Sequence, residues 1–427
     1  KYVIDTFKII LSTEIDPINI DKNHITSIYI EKDYENDHFP ILKVNISLDT
    51  ELYYKILDDK LNVKFHLRLQ KIIKTDNNEY NFKNDVINDV FCPFIDDDTP
   101  FLNKDMYEKT KETENANVSM SNKFNEYTFY LFKETDLNNS KKIINNIITE
   151  ANLTDTITYC LYSSNIKNVL MSPLINKKIY KEILLLPIST LMNLLYLEQQ
   201  YDGFYNNPAL VYFDIDNVYI IDSGLESKAF RKQEPEQTVF TVHHSTNPDS
   251  FSSGSLELKD EKKYVININH NSITMNSRSI ISDQIDGNNF IVINPNTGEN
   301  STIKSKATQR GEGTYKVLIN KFNNKRINDY LIKRKKEESN ILNIIISNID
   351  IDTITPNKEF LFIFEDQSIN KKYGGKYKLI KNICFFVKEG EEFDISLNCD
   401  FKKIKWLFLI TLSLLFCTFY TILIKTY

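Results

Sequence analysis

Cysteine and histidine are the side chains that most readily act as nucleophile, base or metal ligand, and their spacing in this chain argues against all three roles. The five cysteines, Cys92, Cys160, Cys384, Cys399 and Cys417, stand at least fifteen positions apart, so there is no CxxC pair to hold zinc or exchange electrons. The six histidines, His24, His38, His66, His243, His244 and His270, are just as scattered. His243 and His244 are adjacent, but neighbours on a strand point to opposite faces and cannot easily share one ion. Cys160 falls beside Ile157 and Leu161 on the inner face of a short helical pattern, which suits packing rather than attack. Free thiols buried as small hydrophobes are therefore expected. The run Asp96, Asp97 and Asp98 could attract a cation, but its surroundings read as a solvated loop.

The familiar catalytic frames are missing as well. No GxSxG elbow, HExxH, EF-hand loop, Walker lysine or recognisable carboxylate pair occurs. The glycines of QRGEGTYK match neither the phosphate-binding loop nor the dinucleotide fingerprint, and read as a turn. The sequence thus predicts no catalytic residue, no cofactor-binding residue, no cofactor and no metal ligand. A net charge of -6 also lacks the basic excess by which nucleic-acid binders neutralise phosphates. The KRKK cluster at Lys333, Arg334, Lys335 and Lys336 is offset at once by Glu337 and Glu338.

What the chain does carry is material for cores. Of its 427 residues 41% are hydrophobic, with 27 Phe and 24 Tyr against 10 Gly and 11 Pro, the balance of an aromatic-rich globular protein of two to four domains. Strict alternation marks the first hundred residues: in NVKFHLRLQKI, Val63, Phe65, Leu67 and Leu69 interleave with polar side chains. YVIDTFKIIL, ITSIYIEKD, ILKVNISLD and VINDVFCPFI read as companion strands, with DTELYYKILDD as a short connecting helix. Residues 96–126 are polar, aperiodic and expected to form a mobile loop. EYTFYLFKE resumes the sheet.

An α/β module follows. IINNIITEAN reads as a strand, and TDTITYCLYSS as a helix capped by Thr154 or Asp155. In LLLPISTLMNLLYLEQQYDGFY, Pro187 ends an apolar run and Ser189 or Thr190 can cap a helix. Leu191, Leu194 and Leu195 share one face of that helix, and Gly203 is placed to end it in a left-handed conformation. LVYFDI and NVYIID then form a hairpin about Asp216–Asn217. Beyond residue 237 a second set of strands runs through TVFTVHH, KKYVININH, NFIVINP, TYKVLINK, NILNIIISNIDID, KEFLFIFED, GKYKLIKNICFFVKEG and EEFDISLNCDF, interrupted by the charged helix NDYLIKRKKEESN.

The chain closes on an apolar stretch of nineteen uncharged residues, Trp406–Ile424. As a helix at ~1.5 Å per residue it spans about 28 Å, close to the ~30 Å hydrocarbon core of a bilayer. Its apolar body is Trp406, Leu407, Phe408, Leu409, Ile410, Leu412, Leu414, Leu415, Phe416, Phe419, Ile422, Leu423 and Ile424, and lysines flank both ends. It is expected to be a membrane-competent helix that leaves the soluble part cytoplasmic, or else a buried helix in an oligomer.

The fold class expected from these elements is β-rich α+β: two antiparallel β-barrel domains, an intervening α/β module and a C-terminal hydrophobic helix. The divisions fall at 1–134, 135–236, 237–401 and 402–427. That order resembles the central hub proteins of bacteriophage tail baseplates and related contractile injection machines. Three stretches carry the likeness: the proline-led helix with its Tyr201, Gly203, Tyr205 turn and the Asp214/Asp216 hairpin; DIDTITPNKEFLFIFED; and YGGKYKLIKNICFFVKEGEEF. The terminal apolar helix departs from the family's pattern.

The resemblance implies a homotrimer that adapts a sixfold tail tube to a threefold spike around a lumen for genome or effector passage. Its partners would be the tube protein, the central spike or receptor-binding apparatus and the tape-measure protein. Nucleic acid would be met only in passage, and the location would be the virion. It also implies that Leu191, Leu194, Leu195, Tyr201, Gly203 and Tyr205 brace neighbouring subunits. Two other readings compete: a tail-anchored membrane protein with a β-rich cytosolic head, and a cell-wall hydrolase with an unrecognised site.

Overall fold

Alternating apolar and polar residues give a strand one dry face and one wet face, and enough such strands can roll up so that no edge stays unpaired. The first third of the chain takes this route. The computed structural model describes residues 2–74, 80–94, 124–223, 237–244, 255–259, 263–275, 289–293, 298, 300–303, 315–319, 341–347 and 349–404. In chain order the first region contains β1 (Tyr2–Ile10), β2 (Ile18–Asn19), β3 (Ile25–Asp33), β4 (Ile41–Asp49), helix α1 (Thr50–Asp58), β5 (Lys64–Lys74), β6 (Tyr80–Phe94) and β7 (Phe124–Lys133).

The middle region contains α2 (Glu134–Lys141), β8 (Ile144–Asn152), α3 (Leu153–Ser163), β9 (Val169–Met171), β10 (Ile179–Ile188), α4 (Thr190–Gln200), β11 (Ala209–Phe213) and β12 (Val218–Asp222). The last region contains β13 (Gln237–His243), β14 (Ser255–Lys259), β15 (Lys263–Asn269), β16 (Ile273–Met275), β17 (Asn289–Ile293), β18 (Asn300–Ile303), β19 (Tyr315–Ile319), β20 (Ile341–Ser347), β21 (Glu359–Phe364), α5 (Gln367–Tyr373), β22 (Gly375–Glu389) and β23 (Glu392–Lys403).

The barrel closes with strands from both ends of the chain. Its order is β1-β5-β6-β7-β4-β3-β22-β23 and back to β1, every pairing antiparallel. Six strands come from the first 133 residues and two from the C-terminal hairpin β22–β23. That hairpin is long enough to serve twice. Residues 381–387 of β22 pair with β3, whereas residues 375–378 pair with β21. On the other strand Phe393 pairs with Tyr2 of β1, and residues 396–402 pair with β20. From the base of the hairpin the second sheet extends as β14-β15-β13-β21 on one side and β20-β16 on the other. The sequence reads this second set as antiparallel. The structure makes β13 parallel to both β15 and β21, because β14 follows β13 in the chain but lies on the far side of β15, so β15 runs back beside β13 in the same direction. Among the described residues this second sheet does not close.

Aromatic packing fills the inside of both assemblies. Phe65 lies edge-on to Phe7 and Phe129, at 5.3 and 5.1 Å between ring centres. Phe240, Phe362 and Phe401 form a cluster with separations of 4.7 to 5.6 Å. Both sets belong to one continuous core, so barrel and second sheet share their interior. Among the described residues no helix is long and apolar enough to cross a membrane. The apolar segment 406–424, the KRKK helix and all but the end of the 96–126 loop lie outside the described residues.

Candidate functional site: the barrel–module junction

The middle region builds its own core between the β8–β10 pair, α3, α4 and the β11–β12 hairpin. Its helices start where side-chain oxygens can take up free amide hydrogens. Ser189 caps α4 through the Met192 amide. The cap of α3 is Asn152, which accepts from the Asp155 amide at 2.9 Å and donates to the Asp155 carboxylate at 2.8 Å. That places the cap two or three residues before Thr154 or Asp155, because the Asn152–Asp155 exchange satisfies both partners at once.

Inside α4 two polar residues do unusual work. Asn193, fully buried, accepts from the Leu186 amide at 3.0 Å and donates to the Leu186, Ile188 and Ile144 carbonyls. It thereby ties the frayed ends of β8 and β10 together. Glu198, also buried, accepts from the Phe204 amide at 2.6 Å and the Ala209 amide at 3.1 Å. It clamps the turn that leads from α4 into β11. Gly203, at φ +77°, takes the left-handed conformation that this turn needs, and its carbonyl accepts from Asn176 Nδ2.

The hairpin β11–β12 has no wet face. Leu210, Tyr212, Tyr219 and Ile221 point into the barrel-side core, while Val211, Phe213, Val218 and Ile220 point into the module core. That is why LVYF and VYII read as unbroken apolar runs instead of alternating. Around the hairpin the barrel supplies partners. The Phe213 amide donates to the His38 carbonyl at 2.8 Å, and the Phe39 ring lies 5.4 Å from Phe213 and 5.1 Å from Phe132. Lys133 Nζ donates to the Ile215 carbonyl at 2.6 Å. Lys378, buried at the base of the shared hairpin, donates to the Ser223 carbonyl at 2.6 Å.

At the centre lies the ion pair Lys32–Asp214, 2.7 Å long, with side chains 18% and 7% exposed. Burial pulls the Lys32 ammonium down, but the charge and hydrogen bond of Asp214, with the nearby Cys384 and Asp216, together hold the group above its ordinary value. Tyr34 and Tyr212, whose rings are 4.7 Å apart, have their hydroxyls pushed up by burial and then by Asp214. These hydroxyls stay neutral and cannot act as bases at any ordinary pH.

Within the chain, the residues expected to brace subunits pack against their own module. Leu194 and Tyr205 are 0% and 3% exposed, and Leu191, Leu195 and Tyr201 are half-buried against the same core. Tyr205 donates to the Ser172 and Ile220 carbonyls, and Tyr201 accepts from the Leu184 amide. This packing follows because α4 must bury its apolar face and its own strands are nearest. Asn193, Glu198 and Lys32 went unread in the sequence. For the first two the available signal was a polar residue on the apolar face of a helix.

The described thiols are not set for nucleophilic attack. Cys160 and Cys384 are buried, and burial pushes both thiols up to about 12, the reverse of an activated nucleophile. Cys399 is buried and free, Cys92 is half-buried, and Cys417 lies outside the described residues. His244 and His270 lie 4.4 Å apart with their rings tilted at 48°, yet no group of three His, Cys, Asp or Glu among the described residues is placed to hold a metal.

A closed barrel thus shares a hairpin with a second sheet, and a two-faced hairpin locks the module on, in one continuous β-rich architecture. The bacteriophage PBS1 gene 109 protein family matches residues 3–404, and the chain belongs to that family. No curated protein matches it. Among solved structures it is similar to the tail protein from Neisseria meningitidis MC58, at 8% identity and a TM-score of 0.46 over 94% of this chain and 96% of that one. It is similar to the 43 kDa tail protein of prophage MuSo2 from Shewanella oneidensis, at 9% identity and 0.44 over 92% and 97%. It is also similar to a chain of the half-lidded Francisella PdpA–VgrG complex, at 9% and 0.44 over 95% and 58%.

Proposed function

We propose that the protein is a structural part of a phage tail, the trimeric central hub that adapts a sixfold tube to a threefold spike around a lumen. Membership of a phage protein family supports the phage setting. The observation that carries the mechanical reading is the hairpin Gly375–Lys403, whose tip closes one barrel and whose base nucleates the second sheet. Two assemblies that share a pair of strands cannot swing about a linker, so a load on one passes through backbone hydrogen bonds to the other. An adaptor between two symmetries needs that stiffness. The division at residues 134, 236 and 401 belongs to this proposal, with the β22–β23 hairpin counted in both the barrel and the second sheet.

On this reading the protein works by position, not by catalysis. The tube, spike and tape-measure proteins would be its neighbours in the virion. Immunogold labelling of intact virions against this chain tests the placement. Label confined to the tail tip, at the tube–spike boundary, is the expected result, while label on the capsid or absence from washed virions would end the proposal. A peptidoglycan zymogram of the purified chain should stay uncleared. A lytic zone would replace the structural reading with an enzymatic one.

A further inference from the structure

The outer wall of a closed barrel in water is ordinarily polar, and on one side this one is not. Strand register lines up a transverse row across five neighbouring strands. Phe385 of β22 pairs with Tyr29 of β3, Tyr29 with Lys43 of β4, Lys43 with Tyr130 of β7, and Tyr130 with Phe94 of β6. All five point outward, since the residues flanking them in each strand, such as Ile28, Leu42 and Phe129, are buried. Phe385 and Phe94 at the ends are 40% and 51% exposed. Between the two tyrosines the Lys43 ammonium sits 5.0 Å from both ring centres, fixed by cation–π attraction. Glu31, the nearest outward carboxylate on β3, pairs with Lys381 at 2.5 Å and accepts from the Tyr29 hydroxyl at 2.8 Å, with Lys43 close enough to feel its charge. The row therefore offers aromatic anchors around one held cation.

The same chain carries a second, differently shaped apolar face. In the two-stranded sheet β8–β10, Ile147 pairs with Leu184, and both point to solvent at 59% and 39% exposure. Glu182, exposed two residues along β10, lies on the same face as Leu184. An exposed aliphatic pair with a carboxylate beside it complements an aromatic row with an ammonium at its middle. Two distinct patches of matching chemistry on one polypeptide are what a head-to-tail interface requires, and repetition of such a contact closes into a ring.

We propose that the row Phe385–Tyr29–Lys43–Tyr130–Phe94 of one subunit docks on the β8–β10 face of the next copy, with Lys43 meeting Glu182. The partner is a second copy of this chain, and aromatic anchors are enriched at the centre of such interfaces. The inference rests on the hub reading only for the number of copies in the ring.

Light scattering during gel filtration of the full chain provides the test, with far-UV circular dichroism confirming that each variant is folded. The wild type is expected at three times the monomer mass. Phe385→Asp and Ile147→Asp each damage one of the two patches, and each alone should fall to monomer mass. Mixed in equal amounts they should form a dimer and stop there, because one intact patch remains on each partner. Glu182→Lys should dissociate the ring, and adding Lys43→Glu should restore it. Folded variants that keep the wild-type mass would overturn the docking surfaces while leaving the trimer standing. A monomeric wild type would overturn both. Monomeric variants whose mixture gives no dimer would show that the two patches do not meet each other.

Discussion

Removing the carboxylate of Asp214 is the sharpest test of the junction. Asp214→Ala leaves the Lys32 ammonium among Tyr34, Tyr212 and the barrel wall without its 2.7 Å partner. Breaking one side of a buried pair costs about 3–5 kcal/mol, most of it the penalty of a buried charge left alone. At ~1.4 kcal/mol per factor of ten, the hairpin Ala209–Asp222 should open at least a hundredfold more often. Hydrogen exchange followed by mass spectrometry reads this directly, as faster exchange in peptides covering residues 209–222 with little change in β5 or β6. The double variant Lys32→Met, Asp214→Ala supplies the control. With both charges gone the site is apolar, and most of the lost protection should return. If the single substitution speeds exchange less than about fivefold, or the double variant is worse than the single, Lys32 is solvated and the pair does not hold the module.

Other outcomes are expected on the same physical grounds. Asn193→Ala strands the carbonyls and amide at the ends of β8 and β10, and should cost about 1–3 kcal/mol in chemical denaturation, with early proteolysis near residue 188. Glu198→Ala frees the Phe204 and Ala209 amides and should cost a similar amount, whereas Glu198→Gln, able to accept one of the two bonds, should cost less. Asp136 is pushed up to about 6 by burial, against the opposing pull of Lys133. The folded state therefore binds this proton more tightly than the unfolded chain, so stability rises as pH falls through 6 and the gain is complete below the unfolded value near ~3.9. Asp136→Asn should flatten that part of the profile and raise the melting temperature at pH 7 to 8. No flattening would mean that Asp136 is solvated in the native protein.

Much of the architecture was legible because it depends on periodicity alone. Strands β1, β3, β4 and β5 announce themselves through alternation, since a half-buried sheet admits no other pattern. Ser189 and Gly203 mark the beginning of α4 and the turn beyond its end, because caps and left-handed turns are local chemistry. Even the two-faced hairpin left a trace, as unbroken apolar runs around Asp216–Asn217, although the sequence could not say which cores it joins.

What the sequence determined, then, was the kind of most elements, though not of α2, β9, β10 or α5, and the want of any catalytic spacing. The tertiary structure decided the pairing of distant strands. Nothing local in GKYKLIKNICFFVKEG states that residues 381–387 will complete a barrel begun some 350 positions earlier, or that Lys32 will meet Asp214. Alternation fixes which way a side chain faces but carries no record of which strand lies beside it. The same limit holds for α4: its Leu-rich face says that it must be covered, and only packing brought the strands of its own module against it.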